Sequence, residues 1–239
     1  MLRRLGVFLL PIAMMLVVVG CGGGSPQGSA AKHGRETPTS TPIPFQGTPV
    51  TGSRDGLTAA TMDLRTGSTV LEVGSGDLGG DLYRVTTNHG QAQVSATGST
   101  VQVDGLGGGN EVQVLLARGV HWTVDIGAGA SKMWLDLGGA DLRNLTLGGG
   151  AYQATVTLGP ASGSVPVQVT GGMTDLSFGL RQGAGATIKV RNPIDSVRLA
   201  GTNRGKIAGG TTLQVGGSAS DRYQIDLSSG LSSLDVSDG

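Results

Sequence analysis

Val124-Asp125-Ile126, Leu135-Asp136-Leu137, Leu145-Thr146-Leu147, Val156-Thr157-Leu158 and Val167-Gln168-Val169 decide the fold. Their first residues, Val124, Leu135, Leu145, Val156 and Val167, are almost evenly spaced. Each unit places a polar residue between two apolar ones, the period-2 alternation of a half-buried strand. The intervening segments are short and rich in Gly, Asn, Asp and Ser, which turn the chain. The series runs on less evenly through Leu176/Phe178, Ile188/Val190, Val197/Leu199, Leu213/Val215, Ile225/Leu227 and Leu234/Val236.

A longer repeat sits on top. IGAGASKMWLDL, LGGGAYQATVTL and VTGGMTDLSF begin at Ile126, Leu147 and Val169, an interval twice that of the short units. A repeat of that length predicts a solenoid. Two short strands per coil, stacked rung on rung, bury the flanking apolar residues and turn the middle one outward. The fold class expected is therefore all-β, a β-helix or solenoid-like single domain of stacked short strands. A β-sandwich of similar strands is the alternative. The predicted outward row reads Asp125, Asp136, Thr146, Thr157, Gln168, Ser177, Lys189, Arg198, Gln214, Asp226 and Asp235, all polar.

The domain is expected over residues 56–239, with regular repeats over 121–239. Residues 56–120 are strand-like with looser spacing, an N-terminal cap or a continuation of the stack. A terminal rung would bare unpaired strand edges, so both ends need caps. Ser237-Asp238-Gly239 is expected to belong to the C-terminal one.

Composition agrees with this architecture. The 239 residues include 44 Gly, only eight aromatics and a single Cys. Gly costs about 1 kcal/mol against Ala inside a helix, which excludes a mostly helical protein. No G-X-Y period is present, which excludes collagen. In a solenoid the Gly serves tight corners needing positive φ and rungs too closely stacked for side chains. One Cys makes neither an internal disulfide nor a Cys-based zinc site. His33, His89 and His121 are little material for a metal centre, and no cofactor is expected.

Residues 1–20 read as a lipoprotein signal peptide. Arg3 and Arg4 precede an apolar stretch from Leu5 to Val19, too short to span a membrane. Val18-Val19-Gly20-Cys21 resembles a bacterial lipobox, in which Cys21 becomes the lipidated first residue after cleavage. The chain is then held on the extracytoplasmic face of the cell membrane, an anchoring that takes more than one acyl chain. Removing Arg3 and Arg4 leaves 15 basic against 17 acidic groups, net −2, with no basic surplus for nucleic acid. Residues 21–55 follow as a tether. From Gly22 to Asp55 most positions are Gly, Ser, Thr or Pro, and five of the nine prolines lie here. Such a segment cannot bury enough surface to offset its ordering entropy, and a coil of its length reaches about 30 Å.

Several motifs look chemical. Val70-Leu71-Glu72-Val73-Gly74-Ser75-Gly76-Asp77-Leu78-Gly79 contains G-x-G-x-x-G and resembles the first motif of S-adenosylmethionine-dependent methyltransferases. A strand pattern follows it where a helix is needed, so it reads as a turn between strands. Gly171-Gly172-Met173-Thr174-Asp175 lacks a Gly and the nine-residue period of a calcium-binding β-roll. Carboxylate pairs drawn from Asp125, Asp136, Asp141 and Asp175 on neighbouring rungs are the candidates for glycoside hydrolysis. The bland reading is a solvating, edge-protecting role. Trp122 and Trp134 are either a sugar-stacking platform or core and rim packing.

Val120-His121-Trp122-Thr123-Val124-Asp125-Ile126-Gly127-Ala128-Gly129-Ala130, Leu135-Asp136-Leu137-Gly138-Gly139-Ala140-Asp141-Leu142 and Leu147-Gly148-Gly149-Gly150-Ala151 carry a family resemblance. So does the ending Asp221-Arg222-Tyr223-Gln224-Ile225-Asp226-Leu227-Ser228-Ser229-Gly230-Leu231. These runs resemble bacterial cell-envelope domains of the toast-rack type, related to the cell-wall-active-antibiotic response family and to adhesin-like domains. The resemblance implies a stacked all-β fold and a setting in envelope stress sensing or surface adhesion. Together the readings predict a non-enzymatic, lipid-anchored envelope protein that binds a protein or cell-wall polymer, or associates with itself. The alternatives are an accessory of a membrane stress sensor, implied by the resemblance alone, and a surface glycan-active enzyme.

Overall fold

The computed structural model describes residues 45, 47–65, 67–104, 110–216 and 220–239. Cys21, the expected signal peptide and most of the expected tether lie outside the described residues. The described chain is built of strands. They are β1 (Val50–Ser53), β2 (Ala59–Leu64), β3 (Ser68–Gly76), β4 (Asp81–Thr87), β5 (Gln93–Thr97) and β6 (Thr100–Asp104). Next come β7 (Glu111–Ala117), β8 (His121–Ile126), β9 (Ala130–Leu137), β10 (Asp141–Leu147), β11 (Ala151–Leu158), β12 (Ser164–Val169) and β13 (Met173–Leu180). The last are β14 (Ala186–Val190), β15 (Ile194–Leu199), β16 (Thr202–Ile207), β17 (Thr211–Val215), β18 (Arg222–Leu227) and β19 (Leu231–Asp238).

Two sheets form. One runs β1-β4-β7-β3-β9-β11-β13-β19-β15-β16, the other β17-β14-β18-β12-β10-β8-β2-β6-β5. Consecutive apolar-polar-apolar units alternate between them, so one coil spends a strand in each. Same-sheet neighbours are parallel and offset by a coil: Val124 pairs with Leu145 and Leu145 with Val167, while Leu135 pairs with Val156 and Val156 with Phe178. The longer repeat of the sequence is this coil. The expected stacked all-β solenoid is the observed fold.

The inward positions stack into apolar ladders. Met62, Val124, Leu145, Val167, Ile225 and Ile188 line one sheet, each 1 % exposed or less. Leu71, Met133, Ala154, Leu176, Leu234 and Val197 line the other. Trp122 is fully buried among them, and its Nε1 donates to the Ala117 carbonyl at 2.9 Å. That bond satisfies the indole's polar atom, as a buried Trp requires.

Rung order departs from chain order at both ends. The C-terminal coil β18–β19 lies inside the stack, between β12–β13 and β14–β15. Ile225 pairs with Val167 on one side and Ile188 on the other, and Val236 with Phe178 and Leu199. At the other end β6–β7 lies outside β2–β3, which abuts β8–β9. The expected capping role of Ser237-Asp238-Gly239 is therefore corrected: Ser237 and Asp238 belong to β19, an interior strand. Antiparallel strands close the ends instead, β4, β1 and β5 at one and β16 and β17 at the other. Leu213/Val215 is one of these end strands, not a rung. Residues 56–120 prove to be both extra coils and cap. The last residues of the expected tether are also part of the sheet, because β1 pairs with β4. The VLEVGSG run is strand β3, followed by a turn at Gly79 (φ +62°) into β4.

Glycine takes two separate roles. Positive φ occurs at positions such as Gly79, Gly98, Gly201 and Gly210, in turns outside the regular corners. The corner glycines Gly149 and Gly171 do not need it. A Cβ on Gly149 would lie 1.9 Å from the Ala128 carbonyl oxygen, and one on Gly171 would lie 2.1 Å from that of Gly149. Close stacking, not positive φ, is what the corners at Gly149 and Gly171 require. Gly149→Ala is predicted to destabilise the domain by at least about 2 kcal/mol, since backbone cannot yield as a side chain can. A Cβ on Gly172 meets nothing within 4 Å. Gly172→Ala should stay within about 0.5 kcal/mol of the parent in urea melts.

An ion pair joins the two out-of-order coils. Arg191, just after β14, donates to Asp226 of β18 through Nε (2.9 Å to Oδ1) and Nη2. Asn192 Nδ2 donates to the Ser228 carbonyl at 2.8 Å beside it. The hydrogen bonds from Arg191 hold the Asp226 carboxyl below its ordinary pKa. A depressed folded pKa contributes stability above the unfolded value of about 4, lost as pH falls through the folded one. Asp226→Asn is predicted to lower the melting temperature at pH 7, and the gap from the parent should close below about pH 4. Deleting residues 231–239 removes a mid-sheet strand and should abolish cooperative melting, where loss of a terminal cap would leave most of the stack folded.

Candidate functional site

The predicted outward row becomes several rows on two faces. On the nine-stranded sheet Gln102, Asp63, Asp125, Thr146, Gln168, Asp226 and Lys189 follow one another in register across seven rungs. Gln214 lies off this row, opposite Thr187. On the ten-stranded sheet Asp136 and Thr157 share a row with Gly74 and Gly179. Ser177 belongs to the adjacent row with Glu72, Trp134, Thr155, Asp235 and Arg198. None of these side chains is buried. Their division between two faces follows from the coil: successive units one half-repeat apart enter opposite sheets.

That division separates the carboxylates considered for glycoside hydrolysis. Asp125 and Asp141 belong to the nine-stranded sheet, Asp136 and Asp175 to the ten-stranded one. Three are held by neighbours. Asp136 accepts from Arg181 Nη2 at 2.7 and 3.0 Å. Asp175 accepts from Ser233 Oγ. Asp141 Oδ2 lies 2.6 Å from His121 Nδ1, with Arg143 Nη2 3.0 Å from the same ring nitrogen. Near this cluster Tyr223 is buried, and its phenol is pushed up to about 12 by burial first and the Asp141 charge second. It stays protonated at any physiological pH. Among the described residues no group of three His, Cys, Asp or Glu side chains is placed to hold a metal ion.

The two tryptophans part. Trp122 is core. Trp134 is half-buried on the outer face of the ten-stranded sheet, with Lys132 Nζ 5.9 Å from its ring centroid. That is within cation–π range. The aromatic that stands clear of the surface is Tyr152, 66 % exposed. Strict alternation does not reveal it. At the start of β9, β11, β13, β15 and β19 two residues turn outward together, as in Ala151-Tyr152-Gln153-Ala154, where only the first and last are buried. Ala130-Ser131-Lys132-Met133 and Leu231-Ser232-Ser233-Leu234 share this spacing. An apolar-x-x-apolar step just after each Gly corner is the signal that finds these positions.

Comparison with known proteins places the architecture. A family model described as the N-terminal domain of toast-rack, DUF2154, matches residues 57–178. The match spans β2 to most of β13 and includes the less regular N-terminal coils. No curated protein matches the chain. A crystal structure of a candidate cell-adhesion protein from Clostridium sporogenes is similar, with a TM-score of 0.64 at 16 % identity. The similarity covers 81 % of this chain and 99 % of that one. At that identity the likeness concerns the fold, and it extends beyond the family match into the out-of-order C-terminal coils. With the family model over half its length, the chain belongs to the family of toast-rack N-terminal domains.

Proposed function

We propose that this chain is a lipid-anchored cell-envelope scaffold, adhesin-like and without enzymatic activity, that binds a cell-surface polymer or an envelope protein through its outward faces. The observation that carries this reading is the outward geometry. One polar row runs unbroken across seven rungs of the nine-stranded sheet, while the acidic candidates for chemistry are divided between opposite faces. A stack of in-register strands is stiff and extended, suited to repeated weak contacts along a polymer or partner. The toast-rack family and the adhesion-protein neighbour support an adhesin-like role. Cys21 and the Pro/Thr-rich segment supply the anchor and the reach in this reading.

Metabolic labelling with a palmitate analogue tests the anchor. The parent chain is expected to take up label and sediment with membranes, and Cys21→Ala to remain unlabelled. Full-length, unlabelled parent protein in the cytoplasm would overturn the reading. Photo-crosslinkers at the outward positions Gln168 and Thr157 are expected to capture polymer or an envelope protein in intact cells, and those at buried Val167 are not.

A further inference from the structure

One concavity crosses the rungs at the regular corners. A shallow groove of about 510 Å³ runs over the starts of the ten-sheet strands. Gly129, Gly150 and Gly172 form its floor, one from each of three successive coils. Ser131, Tyr152 and Thr174 stand along it at equivalent places in β9, β11 and β13. None of its lining residues is charged. At the end of the groove on β3 stands Ser68, whose Oγ is buried with no hydrogen-bond partner among the described residues. A buried hydroxyl left unpaired costs about 1–3 kcal/mol, so it calls for an explanation.

From this geometry we infer that the groove is a binding site for an uncharged, β-1,4-linked polysaccharide chain. Tyr152 is the large apolar side chain among the described residues that faces water, at 66 % exposure. An exposed ring beside a flat floor offers a stacking surface for the apolar face of a sugar. The hydroxyls of Ser131 and Thr174 lie one rung to either side, at the strand spacing of about 4.8 Å. A β-1,4-linked chain is an extended, flat ribbon whose rings repeat at a similar interval. It can lie along the stack and meet one rung per sugar, with its own hydroxyls reaching the Ser and Thr oxygens. The Ser68 Oγ, by a change of rotamer, gains at the groove's end the partner it lacks. A Cβ on Gly129 or Gly150 would lie 3.0 Å from the carbonyl oxygen of the next floor glycine, and one on Gly172 meets nothing within 4 Å, so a larger side chain can be placed there. This inference deepens the surface-polymer reading above and rests on it.

Affinity electrophoresis of the full chain in detergent, through gels holding hydroxyethylcellulose, tests the site, with co-sedimentation on insoluble chitin as a second probe. The parent is expected to bind. Tyr152→Ala removes the stacking ring, and Gly172→Leu adds bulk to the groove at a position whose Cβ meets nothing within 4 Å. Each should weaken binding at least about tenfold, as loss of a central aromatic contact does. Tyr152→Phe keeps the ring and should bind within about threefold of the parent. Unchanged thermal melts would show that the variants are folded. If the parent binds and Tyr152→Ala and Gly172→Leu bind equally well, the groove is not the site, while the surface-polymer reading stands. If the parent binds neither polymer, the inference fails, while capture of another surface polymer or an envelope protein by the crosslinkers at Gln168 and Thr157 leaves the broader reading standing.

Discussion

Everything in this molecule depends on the close parallel approach of one coil to the next. Strands about 4.8 Å apart in register place like residues above like. Val124, Leu145 and Val167 stack because each pairs with the next, and their polar neighbours stack outside for the same reason. The same closeness dictates the corners. Where backbone at Gly149 passes the Ala128 carbonyl, no Cβ fits. The glycines of the regular corners and the scarcity of aromatics are two results of that spacing, while glycines such as Gly79 and Gly210 serve turns of positive φ. Large rings fit mainly within the core, as Trp122 and Phe178 do, or out on the surface, as Tyr152 does.

Much of this was legible in the residues. Alternation in Val124-Asp125-Ile126 and its successors gave the inward and outward sides correctly, and the longer repeat from Ile126 to Leu147 to Val169 gave the coil. Rung order was not legible. Ala-Thr-Ile-Lys-Val of β14 and Tyr-Gln-Ile-Asp-Leu of β18 carry the same pattern, so either could have followed β12. The structure places β18 there, with Val167 against Ile225, far along the chain. Only long-range packing distinguishes the two, and a local pattern carries no information about it. The role of the corner glycines was half legible, because composition cannot separate positive φ from close approach. Tyr152 was missed because alternation breaks at each corner, and the break becomes meaningful only once the corners are stacked.

The division of outward residues between two faces bears directly on chemistry. Acidic residues one half-repeat apart in sequence, such as Asp125 and Asp136, are separated by the whole core. A solenoid thus brings together residues one full coil apart and holds apart those at half a coil. Two converging carboxylates have to share a face: Asp63 and Asp125 sit in register on one row, where Asp63 accepts from Arg65, and on the other face Asp136 and Asp175 accept from Arg181 and Ser233. What the coil supplies readily is repetition: the same surface feature presented again on each rung. That property suits binding to a repeating polymer better than a single reaction centre.

The interior position of the C-terminal coil sets this stack apart from one built in chain order. Hydrogen exchange of the native chain, resolved by peptide, measures it directly. Amides of Leu231–Asp238 are expected to exchange as slowly as those of Met173–Leu180 beside them. The antiparallel end strands Val50–Ser53, Gln93–Thr97 and Thr202–Ile207 should exchange fastest. A C-terminal strand that exchanged as fast as those end strands, with Ala186–Val190 and Ile194–Leu199 protected in its place, would contradict it.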